Sequence, residues 1–311
     1  MRRLASVPTV MIASRWAVAL SLGAAIALVC GTAGTVRGAE PICQSPDVIF
    51  CEDFDSIDWT SRWHEISHRD RKVRDTNPPV RPPLPSQASL RLTFPPGDQN
   101  GGGWMHYWWT PGPAQGSIYL RWYVMYGSNF DWGHGDVKLA GVDGHLPGVR
   151  YGPGAGVRPD GTWFSNRLVS LGVPDSRGAP SAREPFFYYY HMDQATQWGD
   201  FGFQNQGAHV AFERGRWYCL EMMTRPNDIG QANGEMLMWV DGVLKARHVG
   251  IRWRSRSDAQ INNLFLSAWI GEPRHSETQY RWEDNYVVSR SRIGCGSTIE
   301  PPQPPTNLRL R

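Results

Sequence analysis

The sequence of 311 residues has little lysine and little cysteine: three lysines stand against 29 arginines, and there are five cysteines. It has one long apolar run, near the N-terminus, which excludes a multi-pass membrane protein. The net charge is only +3, and no basic cluster is present, which excludes a general nucleic-acid binder. The 33 glycines and 24 prolines argue against a mostly helical fold, because both residues weaken helix interiors.

The N-terminal segment, residues 1–39, is predicted to be a signal peptide. It contains four arginines and no acid, and its apolar run over 16–29 is too short for a comfortable membrane span. We expect cleavage after Ala33 or Ala39 and a secreted or periplasmic protein without membrane attachment; a membrane tether through Cys30 is the alternative. Removing four positive charges changes the net charge from +3 to −1, so the basic character belongs to the export signal.

Four cysteines remain in the mature chain, and an even number in an exported protein indicates two disulfides. Three pairings are possible. We expect Cys43–Cys51, which closes a short N-terminal loop, and Cys219–Cys295, which ties the C-terminal end to an interior strand.

The mature chain, residues 40–298, is predicted to be one all-β domain, followed by a Pro-rich tail over 299–311. Apolar and polar residues alternate with period two in many short windows separated by Gly, Pro, Asn and Asp. Asp241-Gly242 is typical of a tight hairpin turn between two of them. The other predicted strands are 89–94, 104–109, 117–126, 137–142, 162–171, 185–192, 217–225, 261–270 and 281–289. This number of short strands indicates a β-jelly-roll sandwich.

Three segments of the domain have side chains suited to chemistry. Lys138 stands in a predicted strand, in a chain that otherwise uses arginine for positive charge. Ser165 and Arg167 share one face of a strand and together can hold a carboxylate. Tyr188 and Tyr190 share a strand face, where two phenols can stack on sugars or exchange protons. The ordinary alternatives are a surface lysine, a solvent-facing arginine and an aromatic ladder.

The order and spacing of these segments resemble polysaccharide lyase family fourteen, which contains alginate and glucuronate-polymer lyases. The matching motifs are Lys-Leu-x-Gly-x-x-Gly from Lys138, Trp–Ser-x-Arg ending at Arg167, and Tyr-x-Tyr-His-x-Asp-Gln ending at Gln194. The resemblance implies a concanavalin A-like jelly roll and an acidic polysaccharide substrate. It also implies catalytic roles for Lys138, Arg167, Tyr188 and Tyr190 and substrate contacts for Ser165, His191 and Gln194.

Elimination from a uronate suits these residue types. A cation must neutralise the carboxylate while a base takes the C5 proton and an acid protonates the leaving oxygen. Arg167 is the expected carboxylate clamp and Tyr188 the expected acid or sugar-positioning group. Either Lys138 or Tyr190 is the expected base, and each needs a lowered pKa. We expect no catalytic cofactor and a monomeric protein.

In related jelly rolls an acid of the first strand and one of the last bind a structural calcium ion. Glu52 and Asp284 are the corresponding candidate ligands here, since oxygen ligands suit Ca²⁺; two ordinary acidic residues are the alternative. Motifs of competing chemistries are absent from the sequence, namely Glu-x-Asp-x-Glu, Gly-x-Ser-x-Gly and His-Glu-x-x-His. The remaining alternatives to a lyase are a non-catalytic carbohydrate-binding protein of the same fold and a structural surface protein.

Overall fold

The computed structural model describes residues 40–112, 116–154, 156–174 and 182–296. The predicted signal peptide and the Pro-rich tail lie outside these ranges. Within them the chain forms three short 3₁₀ helices, Pro41–Gln44, Trp59–Arg62 and Arg69–Arg71, and fifteen β-strands. No helix in these ranges is long and apolar enough to cross a membrane.

In chain order the strands are β1 (Val48–Glu52), β2 (Glu65–Ile66), β3 (Lys72–Asp75), β4 (Ser89–Phe94), β5 (Gly103–Trp108), β6 (Ile118–Tyr126), β7 (Asp136–His145), β8 (Trp163–Leu171), β9 (Pro185–Tyr190), β10 (Asp200–Gly202), β11 (Trp217–Arg225), β12 (Gly234–Val240), β13 (Val243–Ile251), β14 (Gln260–Ala268) and β15 (Gln279–Ser289). The strands are joined by connections that range from the two-residue turn between β12 and β13 to the 17 residues between β7 and β8.

These strands form two antiparallel sheets. The first has the order β13-β12-β11-β6-β15-β4-β3, with β1 also paired to β15, and the second has the order β10-β9-β8-β7-β14-β5-β2. Most neighbours in the sheets are distant in sequence, as in a jelly roll, and the two sheets pack on a shared apolar core. The predicted all-β jelly-roll sandwich is confirmed.

The core follows from the alternation of side chains along the strands. On β6, Leu120, Trp122 and Val124 are fully buried between the sheets, and each such side chain contributes about 1.5–3 kcal/mol. The opposite face of β6 is also covered, because Tyr123 packs in a second cluster with Cys219. Both faces of this central strand are therefore buried, one by the opposite sheet and one by neighbouring segments.

Two local predictions are confirmed in the structure. Asp241 and Gly242 both adopt positive φ angles, 51° and 80°, and connect β12 to β13 with Val240 paired to Val243. The disulfides are Cys43–Cys51 and Cys219–Cys295, with sequence separations of 8 and 76.

The two disulfides are expected to differ in their contribution to stability. Loop-closure entropy gives about 4.5 kcal/mol for the 76-residue separation of Cys219 and Cys295 and about 2.5 kcal/mol for the 8-residue separation of Cys43 and Cys51. Urea unfolding of the two double Cys→Ala variants against the parent protein measures both losses. An equal loss, or a larger loss for the short loop, would contradict this account.

Candidate active site

A cavity of about 240 Å³ lies on the face of the second sheet that points away from the core, over β7, β8 and β9. Ser165 pairs with Tyr190 and Arg167 with Tyr188 across β8 and β9. Residues directly opposite one another in antiparallel strands point to the same face. All four side chains therefore line this cavity together, as period two along each strand predicts.

Lys138 joins the same cavity through an irregularity in β7. Lys138 pairs with Val169 but Gly141 pairs with Arg167, so β7 has one more residue than β8 in this interval. Such a β-bulge breaks the alternation of faces. Leu139 and Ala140 both turn into the core, and Lys138 consequently faces the cavity.

Gly141 lies directly opposite Arg167 on the neighbouring strand. A Cβ atom on Gly141 would lie 2.5 Å from the Cβ atom of Arg167 and 2.4 Å from the carbonyl oxygen of Asn166. Both distances are far shorter than van der Waals contact. Only glycine at position 141 therefore leaves room for Arg167, its partner on the neighbouring strand. The glycine of the Lys-Leu-x-Gly motif thus has a packing role in the site.

A buried arginine of the opposite sheet supports the bulge. Arg281, on β15, is completely buried and donates from Nη1 to the carbonyl oxygen of Lys138 and from Nη2 to that of Ser267, each at 2.9 Å. Its Nε lies 2.9 Å from Oε1 of the buried Glu283, which balances its charge. Arg281 therefore supplies a hydrogen bond to the backbone of the bulged strand from across the core.

The Lys138 ammonium group is held against aromatic rings. Its Nζ lies 4.1 Å from the ring centroid of Trp269 and 6.0 Å from that of Tyr188. Burial, and next the positive charge of Arg167, lower the pKa of Lys138 to about 8. The lysine therefore has a substantial neutral fraction in mildly alkaline solution.

The two tyrosines form a hydrogen-bonded pair. The hydroxyl oxygens of Tyr188 and Tyr190 are 2.9 Å apart, and Trp163 packs on Tyr190 with ring centroids 5.6 Å apart. Burial, followed by the hydrogen bond between the Tyr188 and Tyr190 hydroxyls, raises the pKa of Tyr188 well above its usual value. Tyr188 therefore stays protonated and can act as a proton donor.

Ser165 and Arg167, the candidate residues for binding a carboxylate, each have a polar atom without a hydrogen-bond partner in the described structure. Ser165 Oγ and Arg167 Nε are buried and have no hydrogen-bond partner among the described residues. The guanidinium of Arg167 lies over Phe265, with its carbon 4.2 Å from the ring centroid. A bound anionic group would satisfy both unpaired atoms.

Four titratable residues of the cavity escaped the sequence analysis: His106, Asp143, His145 and Tyr151. Burial raises the pKa of Asp143 to about 7, although Arg167 opposes the rise. Burial lowers the pKa of His106 and brings that of His145 to about 4, so both imidazoles are neutral. Asp143 stands two residues after Gly141, so period two could have found it; His106 comes from β5, and no local signal links it to the site.

His191 and Gln194 do not line this cavity. His191 stacks on Tyr189 on the opposite face of the chain, with ring centroids 4.9 Å apart, and its Nε2 lies 2.9 Å from Oδ2 of Asp200. Gln194 is buried; it accepts from the His191 amide and donates to the carbonyl oxygens of Thr196 and Trp198. These two residues shape the loop after β9, and their role in substrate binding stays a sequence prediction.

Glu52 and Asp284 are both buried, on β1 and β15 of the first sheet. Oε1 of Glu52 accepts from the Phe54 amide at 2.8 Å, and Oδ1 of Asp284 accepts from the Asn285 amide at 2.7 Å. Burial raises the pKa of Glu52 to about 7. Among the described residues no group of three or more His, Cys, Asp and Glu side chains is arranged to hold a metal ion, so calcium binding here stays a sequence prediction.

A jelly roll whose open face combines an arginine, a half-buried lysine and paired tyrosines has the residue types that a carbohydrate-active lyase needs. The chain is a member of the polysaccharide lyase 14 family, whose model matches residues 85–282. The resemblance found in the sequence is thereby confirmed, and the protein is a polysaccharide lyase. No curated protein sequence matches the chain.

Solved structures of lyases share the fold. Alginate lyase Aly36B is 19% identical, with a TM-score of 0.59 over 80% of this chain and 99% of its own. Alginate lyase vAL-1 from Chlorella virus is 17% identical, with a TM-score of 0.59 over 78% and 99% of the two chains. An endo-β-1,4-glucuronan lyase from the fungus Trichoderma reesei is 12% identical, with a TM-score of 0.54 over 83% and 100%.

The substitution Gly141→Ala is expected to displace Arg167. The added methyl group overpacks the site and costs about 1–3 kcal/mol of stability, while a displacement near 1 Å lowers lyase kcat/KM by about 10²-fold. Thermal unfolding and initial rates measure the two effects. Gly116→Ala is the matched control, because its Cβ would meet nothing within 4 Å. Unchanged activity in Gly141→Ala would refute the packing role.

Proposed function

We propose that the protein is a secreted, monomeric lyase that cleaves a uronate-containing polysaccharide of the alginate or glucuronan type by β-elimination. The family membership supports the reaction class, and the two disulfides are consistent with export. The observation that carries the proposal is the convergence of Lys138, Arg167, Tyr188 and Tyr190 on one cavity.

Arg167 and Ser165 bind the carboxylate of the reacting uronate in this proposal. Abstraction of the C5 proton places negative charge on a carbon next to that carboxylate. A fixed guanidinium opposes this charge in a site that excludes much of the solvent, which is where such stabilisation is strongest. The unpaired Nε of Arg167 and Oγ of Ser165 are the available donors.

Lys138 acts as the base, and the Tyr188–Tyr190 pair supplies the acid. The C5–H bond breaks and its proton passes to the neutral Nζ of Lys138, which leaves the electron pair on C5, delocalised into the carboxylate. That pair then forms the C4=C5 double bond as the C4–O4 bond breaks, and O4 receives a proton from a tyrosine hydroxyl. The pKa of Lys138 near 8 and the raised pKa of Tyr188 support this division of roles. These side chains suffice for the reaction, so the proposal needs no cofactor.

The first test is ultraviolet absorbance of the unsaturated uronate product. Purified residues 40–311 are incubated with alginate and glucuronan across neutral and alkaline pH. Rising absorbance that is lost in Tyr190→Phe supports elimination. Binding of a polymer without any product would instead favour the carbohydrate-binding alternative.

The expected pH dependence of kcat/KM follows from the lowered pKa of Lys138. The neutral amine is the active form, roughly a tenth of the lysine at pH 7 and half near pH 8, so kcat/KM is expected to rise with pH through about 8. Lys138→Ala and the permanently charged Lys138→Arg should each lower kcat/KM by about 10²–10⁴-fold.

Lys245→Arg, on β13 of the other sheet, is the matched control for that substitution. It should leave the pH–rate profile unchanged. If Lys138→Arg retained the parent's rate while Tyr190→Phe lost activity, Tyr190 would be the base and the assignment of Lys138 would be wrong.

A further inference from the structure

A second cavity, of about 600 Å³, opens beside the catalytic one and shares Lys138 with it. Its walls include the indoles of Trp198 and Trp269 and the carboxyl groups of Asp136 and Glu272. A polymer threaded through the catalytic cavity would place its neighbouring sugar in this space. The residues that line the second cavity would therefore select the sugar next to the reacting uronate.

Trp198 offers this cavity an aromatic surface. Its side chain is 50% exposed, and its backbone is held in place because Gln194 and Thr196 both hydrogen-bond to its carbonyl oxygen. An exposed indole on a braced loop can cover the apolar C–H face of a hexose ring without ordering a flexible segment. Trp198 is therefore suited to stacking on a sugar.

The charge of the second cavity is unfavourable for a uronate. Asp136 lines the second cavity and acts electrostatically on Lys138 and Tyr188, which line both cavities, and the exposed Glu272 lines it as well. When Lys138 is neutral, as its role as base requires, the other ionisable groups of the described lining are the two carboxylates, the imidazole of His134 and the hydroxyl of Tyr188. The two carboxylates would repel a sugar carboxylate but accept hydrogen bonds from the hydroxyl groups of an uncharged sugar.

We propose that the second cavity is a subsite for an uncharged sugar, and that the substrate is a mixed polymer in which 4-linked uronate adjoins neutral sugars. The inference rests on the proposed function, because the catalytic cavity must hold the uronate that reacts. Within the uronate-containing polysaccharides, it shifts the preferred substrate from polyuronates such as alginate and glucuronan to alternating or block-wise heteropolymers.

The test compares kcat/KM for product absorbance on two kinds of polymer. The mixed probes are hyaluronan, in which glucuronate alternates with N-acetylglucosamine, and deacylated gellan, in which glucuronate adjoins glucose; glucuronan and alginate are the polyuronates. We expect a preference of about tenfold or more for a mixed probe. An equal or greater rate on a polyuronate overturns the inference but leaves the proposed function standing. No product from any of the four polymers overturns both.

Substitutions in the second cavity test the charge argument directly. Glu272→Gln should raise kcat/KM on glucuronan about threefold at low salt, with the gain falling as salt screens the carboxylate. Glu277→Gln, which removes an exposed charge outside the cavity, is the matched control. Equal effects of the two substitutions would overturn the charge argument.

Removal of the Trp198 indole tests the stacking surface separately. Trp198→Ala should raise KM for the mixed probe about fivefold or more, with kcat retained, because the side chain binds sugar without taking part in bond breaking. An unchanged KM on every polymer would show that no sugar stacks on Trp198 and would overturn the subsite.

Discussion

The site depends on one irregularity of the backbone, the bulge in β7 between Lys138 and Gly141. Regular pairing would leave the lysine on the core face, where a charged amine is strongly unfavourable. The extra residue turns Leu139 and Ala140 into the core and Lys138 into the cavity. Arg281 reaches through the core to the Lys138 carbonyl oxygen, so a buried ion pair of the first sheet supports the chemistry on the second.

Burial is the common cause of the shifted pKa values in this site. It lowers the pKa of Lys138 and raises those of Asp143 and Tyr188, because each charged form loses hydration. The charge of Arg167 acts in addition, lowering the pKa of both Lys138 and Asp143. The proposed base, acid and carboxylate clamp are therefore ordinary residue types placed together in a partly dehydrated cavity.

The loop after β9 contributes Trp198 and Gly199 to the wall of the second cavity. The sequence prediction assigned His191 and Gln194 to substrate binding, but they face away from the catalytic cavity and brace this loop. Gln194 holds the backbone that presents Trp198 to the second cavity. Residues of this one short motif therefore have two different positions in the structure. Tyr188 and Tyr190 line the catalytic cavity, whereas Gln194 supports the wall of the second cavity.

The sequence by itself determined the all-β class, the disulfide-forming cysteines, the Asp-Gly hairpin and the shared faces of Ser165 with Arg167 and of Tyr188 with Tyr190. Each of these depends on local periodicity, on turn chemistry or on residue type. Three short strands, β2, β3 and β10, escaped prediction because two to four residues form a strand only when a neighbour pairs with them. The orientation of Lys138, the presence of His106 in the site and the charge of the second cavity were decided by tertiary structure. They depend on a bulge and on register between strands distant in the chain, and those follow from packing of the whole sandwich.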